Sequence, residues 1–137
     1  MPGYSGTPLP KKLGIKDGFR VALIGMPPEV RNELSESLRK CTIVQAAATP
    51  LDFMHLFVKS RSELAFEFRT AAHALAPAGM LWISWPKKSS GVATDLTEDV
   101  IRQAGLKAGL VDVKVCAVTD VWSGLKFVIP VAKRKNQ

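Results

Sequence analysis

Apolar residues fall in short blocks along this chain, separated by prolines, glycines and charged stretches. Residues 20–26, Arg-Val-Ala-Leu-Ile-Gly-Met, form a continuous apolar run, the pattern of a strand buried on both faces. Pro27-Pro28 stops it. A helix is predicted over 28–40, with Val30, Leu34 and Leu38 recurring every four residues, Glu29 near its start and Arg39-Lys40 at its end. Residues 42–46 and 53–58 read as two more strands. Ser60 and Glu63 have the spacing of a capping box, which opens a helix over 61–76 with Leu64, Phe68, Ala71, Ala72 and Leu75 on one face. Pro77-Ala-Gly79 ends it, and Met80 to Trp85 form a further strand. A polar loop, Pro86 to Asp95, leads to Thr97, an N-cap for a helix running to about residue 108, with Gly109 as its stop. Residues 110–118 and 125–132 alternate in polarity and read as a hairpin joined by Thr119 to Gly124.

The resulting order is β-α-β-β-α-β-α-β-β. Apolar strands alternating with helices predict an α/β fold, a doubly wound and mostly parallel sheet with a C-terminal antiparallel hairpin. The chain reads as a single domain over 1–137, with an N-terminal arm over 1–16 and a basic tail over 133–137. One joint is awkward. Only Ala47 to Asp52 separate the second and third strands, whereas a parallel crossover normally takes about a dozen residues. The second strand is therefore expected to be short, antiparallel, or joined by an extended crossing.

Composition narrows the class. Of the 137 residues, 47% are apolar and 23% charged, the balance of an ordinary globular protein. No apolar run reaches the roughly 18 residues of a membrane span, and the first residues lack the apolar stretch of a secretory signal. Cys41 and Cys116 are too few for a disulfide framework and are expected as buried free thiols in a cytoplasmic protein. The net charge of +7 attracts anions but names no partner. Its lysines are scattered, which argues against a nucleic-acid partner while keeping a nucleic-acid-binding module as an alternative.

The stretch Ala76-Pro-Ala-Gly-Met-Leu-Trp-Ile-Ser84, followed by helix, strand and reversed strand, resembles the back half of a class I S-adenosylmethionine-dependent methyltransferase. The front half departs from it. Gly25 is followed by Met26-Pro27-Pro28 in place of a glycine-rich turn, and Gln45-Ala-Ala-Ala-Thr-Pro50 holds no acid for a ribose. A helix-strand-helix portion is also missing. The resemblance thus implies a reduced Rossmann-like, methyltransferase-like fold. The departures argue against S-adenosylmethionine, and no cofactor is expected. The segments Tyr4-Ser-Gly-Thr-Pro-Leu9, Lys11-Lys-Leu-Gly14, Ser84-Trp-Pro-Lys-Lys88, Ser90-Gly-Val-Ala-Thr-Asp95 and Trp122-Ser-Gly-Leu-Lys126 are similar to a family of small bacterial proteins of unknown function, which implies no activity.

Candidate chemistry gathers where an open α/β sheet binds ligands, outside the carboxyl ends of its strands. Lys87, Lys88, Ser90 and Thr94 precede a helix start and suit a phosphate or carboxylate. Trp85 and Trp122 are expected beside them, around one concavity. His55, within an apolar run, reads as a buried structural residue, and Trp82 as core. His and Cys spacing gives no metal motif, and no nucleophile elbow occurs. The expected function is a non-catalytic domain binding a small anionic ligand or a protein partner at this rim. The alternative is a divergent S-adenosylmethionine-dependent methyltransferase. The arm over 4–9 is expected to dock on its own domain or on a partner.

Overall fold

A computed structural model describes residues 6–134. The elements are α1 (Leu9–Leu13), β1 (Arg20–Ile24), α2 (Pro28–Leu38), β2 (Thr42–Ile43), β3 (Leu51–Phe57), α3 (Arg61–Ala74), β4 (Leu75–Pro86), α4 (Glu98–Lys107), β5 (Val111–Ala117) and β6 (Trp122–Val128). Short 3-10 turns occupy Lys88–Ser90 and Val131–Lys133. Apart from α1, which forms within the arm, this is the order expected from the sequence. The tail residues 135–137, and Tyr4 and Ser5 of the arm motif, lie outside the described residues.

Local chemistry accounts for the helix starts. Pro27 is extended and Pro28 takes the first helical position of α2, where a missing N–H costs nothing. Ser60 and Glu63 close the capping box of α3 in both directions. The Thr97 side chain accepts from the Val100 N–H at the head of α4, beside Glu98 and Asp99.

Six strands form one sheet in the order β2-β1-β3-β4-β6-β5. β1 to β4 run parallel, and β6 lies antiparallel between β4 and β5. The apolar runs of β1, β3 and β4 feed two cores. Met54, Leu56, Leu81 and Ile83 pack under α3 and α4, while Phe53, Phe57, Met80 and Trp82 face α1 and α2. Each buried aliphatic or aromatic side chain contributes about 1.5–3 kcal/mol. Among the described residues no helix is long and apolar enough to cross a membrane.

The awkward joint resolves by shortening. β2 is parallel to β1 but pairs only Arg20 with Thr42 and Val21 with Ile43. The chain then turns back, with Ala48 N–H donating to Gln45 O at 3.0 Å. Because β2 stops near the amino end of β1, the chain need cross only two strand spacings, roughly 10 Å, to reach β3. Val44 and Ala46 pack against the α3/α4 core on the way.

Three further expectations change. β4 begins at Leu75, so Pro77 and Gly79 lie within an irregular strand and do not separate helix from strand. β6 begins at Trp122, which shortens the hairpin turn. A register shift between Asp112 and Lys114 breaks the alternation of β5, leaving Val113 and Val115 about half exposed, at 53% and 52%. Both cysteines are free, as expected, and half-buried.

Candidate functional site

The carboxyl ends of β1, β3 and β4 deliver three loops to one end of the sheet. β1 leads into Gly25, whose φ of +69° suits glycine. A Cβ there would stand 2.9 Å from the Phe57 carbonyl of β3, so the close approach also requires glycine. β3 leads through Lys59 into the capped start of α3. β4 leads into Lys87 and Lys88.

The loops after β3 and β4 are latched together. The Thr94 hydroxyl donates to Lys59 O at 2.6 Å and accepts from Leu96 N–H at 3.1 Å. Asp95 Oδ1 accepts from Arg61 N–H at 2.9 Å, and Arg61 Nε donates to Asp95 O at 3.2 Å. Asp95 thus caps α3, an element 34 residues earlier in the chain. Ser90 donates to Lys87 O at 2.6 Å and accepts from Val92 N–H at 3.2 Å. The hydroxyls of Ser90 and Thr94 therefore shape the loop. Lys87 is half-buried and Lys88 exposed.

Lys87 and Trp122 lie at the same end of the sheet, as topology requires. Pro86 is in register with Trp122, and Lys87 N–H donates to Val121 O at 2.7 Å. The tryptophans do not wall one concavity. Cross-strand partners share a face and successive residues alternate, so Trp122 lies with Pro86 on the face opposite Trp85. Trp85 is 6% exposed in the α3/α4 core. Trp122 is 7% exposed in the other core, edge-on to Phe57 with centroids 5.1 Å apart. They back the rim from below on opposite sides.

A buried polar pair lies beneath the rim. His55 Nε2 and Ser84 Oγ are 2.7 Å apart, and both residues are fully buried. His55 stacks on Phe57 at 4.3 Å, and its Nδ1 has no partner among the described residues. Burial pushes its pKa down to about 3. His55 thus stays neutral in the fold while the unfolded chain protonates near pH 6.5. Its neutral form favours folding fully above about pH 6.5, and this contribution is lost progressively as pH falls from there to about 3, at up to about 1.4 kcal/mol per pH unit. Urea titrations from pH 7 to 5 are expected to show falling stability in the wild type and a flatter profile in His55→Asn. Equal slopes would place His55 in contact with water. The other histidine, His73, is exposed on α3.

Among the described residues no group of three His, Cys, Asp or Glu could hold a metal. Sequence reasoning found His55 but missed Ser84. The available signal was parity, since Ser84 interrupts an apolar strand two residues after Trp82 and on its face.

No family model matches the sequence, and no curated protein is similar to it. Solved structures do share its fold. A TehB-like S-adenosylmethionine-dependent methyltransferase from Corynebacterium glutamicum is 9% identical with a TM-score of 0.57, over 93% of this chain and 90% of that one. The magnesium protoporphyrin IX methyltransferase of Synechocystis PCC 6803, with bound S-adenosylhomocysteine, is 13% identical with a TM-score of 0.56, over 82% and 74%. Aeropyrum pernix fibrillarin, with natively bound S-adenosylmethionine, is 15% identical with a TM-score of 0.53, over 92% and 70%. The chain therefore has a Rossmann-like, class I methyltransferase-like fold. The expectation set against S-adenosylmethionine is corrected by these structures, which include complexes with that cofactor and its demethylated product. The sequence argument weighed missing glycines and a missing acid, local features, above an architecture that the cofactor-bound structures share.

Proposed function

We propose that this chain binds S-adenosylmethionine at the carboxyl rim of its sheet and acts as a reduced, divergent methyltransferase. The supporting observation is the sheet itself, with Gly25 in a left-handed conformation at the end of β1, within a fold shared with cofactor complexes. The donor set fits in part. Gly25 leaves room for close approach, and Lys87 and Lys88 suit the carboxylate of the methionine moiety. Pro27 and Pro28 carry no N–H, so the turn after β1 offers few backbone donors. β2 ends near the base of the sheet, so any hold on the ribose comes from other loops.

Bound there, the cofactor supplies a methyl group on a sulfonium for in-line transfer. The chain's own task is positioning. The Thr94–Lys59 and Asp95–Arg61 bonds hold the two rim loops in one arrangement. Glu63 and Asp95 are engaged as helix caps, and no proton transfer is assigned to them.

Calorimetry with S-adenosylmethionine and S-adenosylhomocysteine tests the reading. Saturable binding is expected, weakened about tenfold in Lys87→Gln/Lys88→Gln and abolished in Gly25→Val. Circular dichroism separates lost binding from lost fold. An absence of heat at millimolar cofactor would end the proposal. Heat with a small anion alone that is lost in Lys87→Gln/Lys88→Gln would return the rim to the non-catalytic reading.

A further inference from the structure

A second basic surface shares no residue with the rim loops. A cleft of about 530 Å³ lies between α1 and the edge strand β5, lined by Thr7, Lys11 and Lys12 on one side and by Lys114 to Ala117 on the other. None of these lining residues is acidic. Two bonds clip the walls together: Lys12 Nζ donates to Ala117 O at 3.3 Å, and Lys114 Nζ donates to Lys12 O at 2.9 Å.

The arrangement crowds positive charge. Lys114 stands in register with Lys126 across the β5–β6 ladder. Like charges directly opposite on neighbouring strands destabilise a sheet. Burial first, then Lys114 and Lys16, push the Lys126 pKa below its ordinary value. Burial raises the Cys116 thiol, while Lys12 and Lys114 pull it back down. Asp112, the acid within β5, is taken by Arg102 at 2.9 Å. Five lysines from α1, the segment after it, β5 and β6 thus gather on one face.

We propose that the α1–β5 cleft is a binding site for a small, polyvalent phosphate anion. Its volume falls within the roughly 300–1,000 Å³ of small-molecule sites. Lysine ammonium groups act as compact point charges suited to phosphate. Among the described residues the lining carries no aromatic ring on which a base would stack, which favours a small ligand over nucleic acid. Strand addition at this edge is opposed by the irregularity at Val113 and by Lys114 itself.

The test uses the full chain in low salt, with inorganic tripolyphosphate as the probe. Saturable binding with one site per chain is expected, together with a melting temperature raised by several degrees. Lys11→Gln/Lys114→Gln is expected to weaken binding at least tenfold with the circular dichroism spectrum unchanged. Lys126→Gln is expected to raise the anion-free melting temperature while weakening binding. Lys40→Gln/Lys107→Gln removes the same charge elsewhere and is expected to leave affinity within twofold. The proposal is overturned if tripolyphosphate does not bind at millimolar concentration. It also fails if the Lys11/Lys114 variant binds like wild type, or if the Lys40/Lys107 variant loses as much affinity. Tighter binding of a thymidine oligonucleotide than of tripolyphosphate would overturn the small-ligand assignment. Cofactor titration at the rim is read separately, so either site can fail alone.

Discussion

Replacing Gly105 with alanine is expected to destabilise this protein by about 3 kcal/mol. Gly105 lies in α4 where the helix rests on β6. A Cβ there would stand 2.0 Å from Phe127 Cε1 and 2.6 Å from Cδ1 and Cζ. Phe127 is fully buried and edge-on to Phe68, with centroids 5.4 Å apart, so its ring must shift against packed neighbours to make room. Alanine is favoured over glycine within a helix by about 1 kcal/mol. The expected loss therefore opposes intrinsic propensity, which makes its sign informative. Urea denaturation gives the magnitude. Phe127→Leu in the Gly105→Ala background should recover part of it, as a double-mutant cycle would show. A variant as stable as wild type would mean that α4 does not pack on Phe127.

Trp82→Ala is expected to cost about 4 kcal/mol. Trp82 is fully buried, and its Nε1–H donates to Leu13 O at 2.9 Å. This indole joins the sheet to α1, whose Leu9 and Leu13 are themselves 4% and 0% exposed. Losing it removes a large apolar body and leaves a buried carbonyl without its donor. The arm should loosen as the core weakens. Limited trypsin digestion is expected to cut after Lys11 and Lys12 faster in Trp82→Ala than in wild type, with Trp82→Phe intermediate. Equal digestion rates would show that the indole does not hold the arm. Leu9, the last residue of the 4–9 segment, and Leu13 pack on the chain's own core.

Much of the architecture is legible in the sequence because the governing interactions are local. The capping box at Ser60, the Thr97 cap and the proline at the start of α2 each act within four residues. The apolar runs of β1, β3 and β4 carry their own evidence of two-sided burial, and with the intervening helices they imply a parallel sheet. Counting residues across the joint marks β2 as short, antiparallel or joined by an extended crossing, and the structure selects a short parallel strand.

The site is less legible, because it depends on partners distant in sequence. Thr94 looks like part of a ligand loop, and Asp95 like the start of the next helix, until β3 and β4 are laid side by side. Their bonds to Lys59 and Arg61 then show that they hold two loops together. Trp85 and Trp122 look like neighbours until strand register assigns them to opposite faces. Gly105 reads as a weak point in a helix until Phe127 lies beneath it.

The sequence by itself determined the element order, the helix starts, the mostly parallel sheet and the burial of His55 and Trp82, since each follows from short-range periodicity or backbone chemistry. Only the tertiary structure decided which side chains meet: His55 with Ser84, Asp95 with the head of α3, Lys114 with Lys126, and α1 with Trp82. The physical reason is that hydrophobic burial is non-directional and can be read from pattern alone. Hydrogen bonds and charge clusters act over a few ångströms between residues whose separation along the chain carries no trace of their contact.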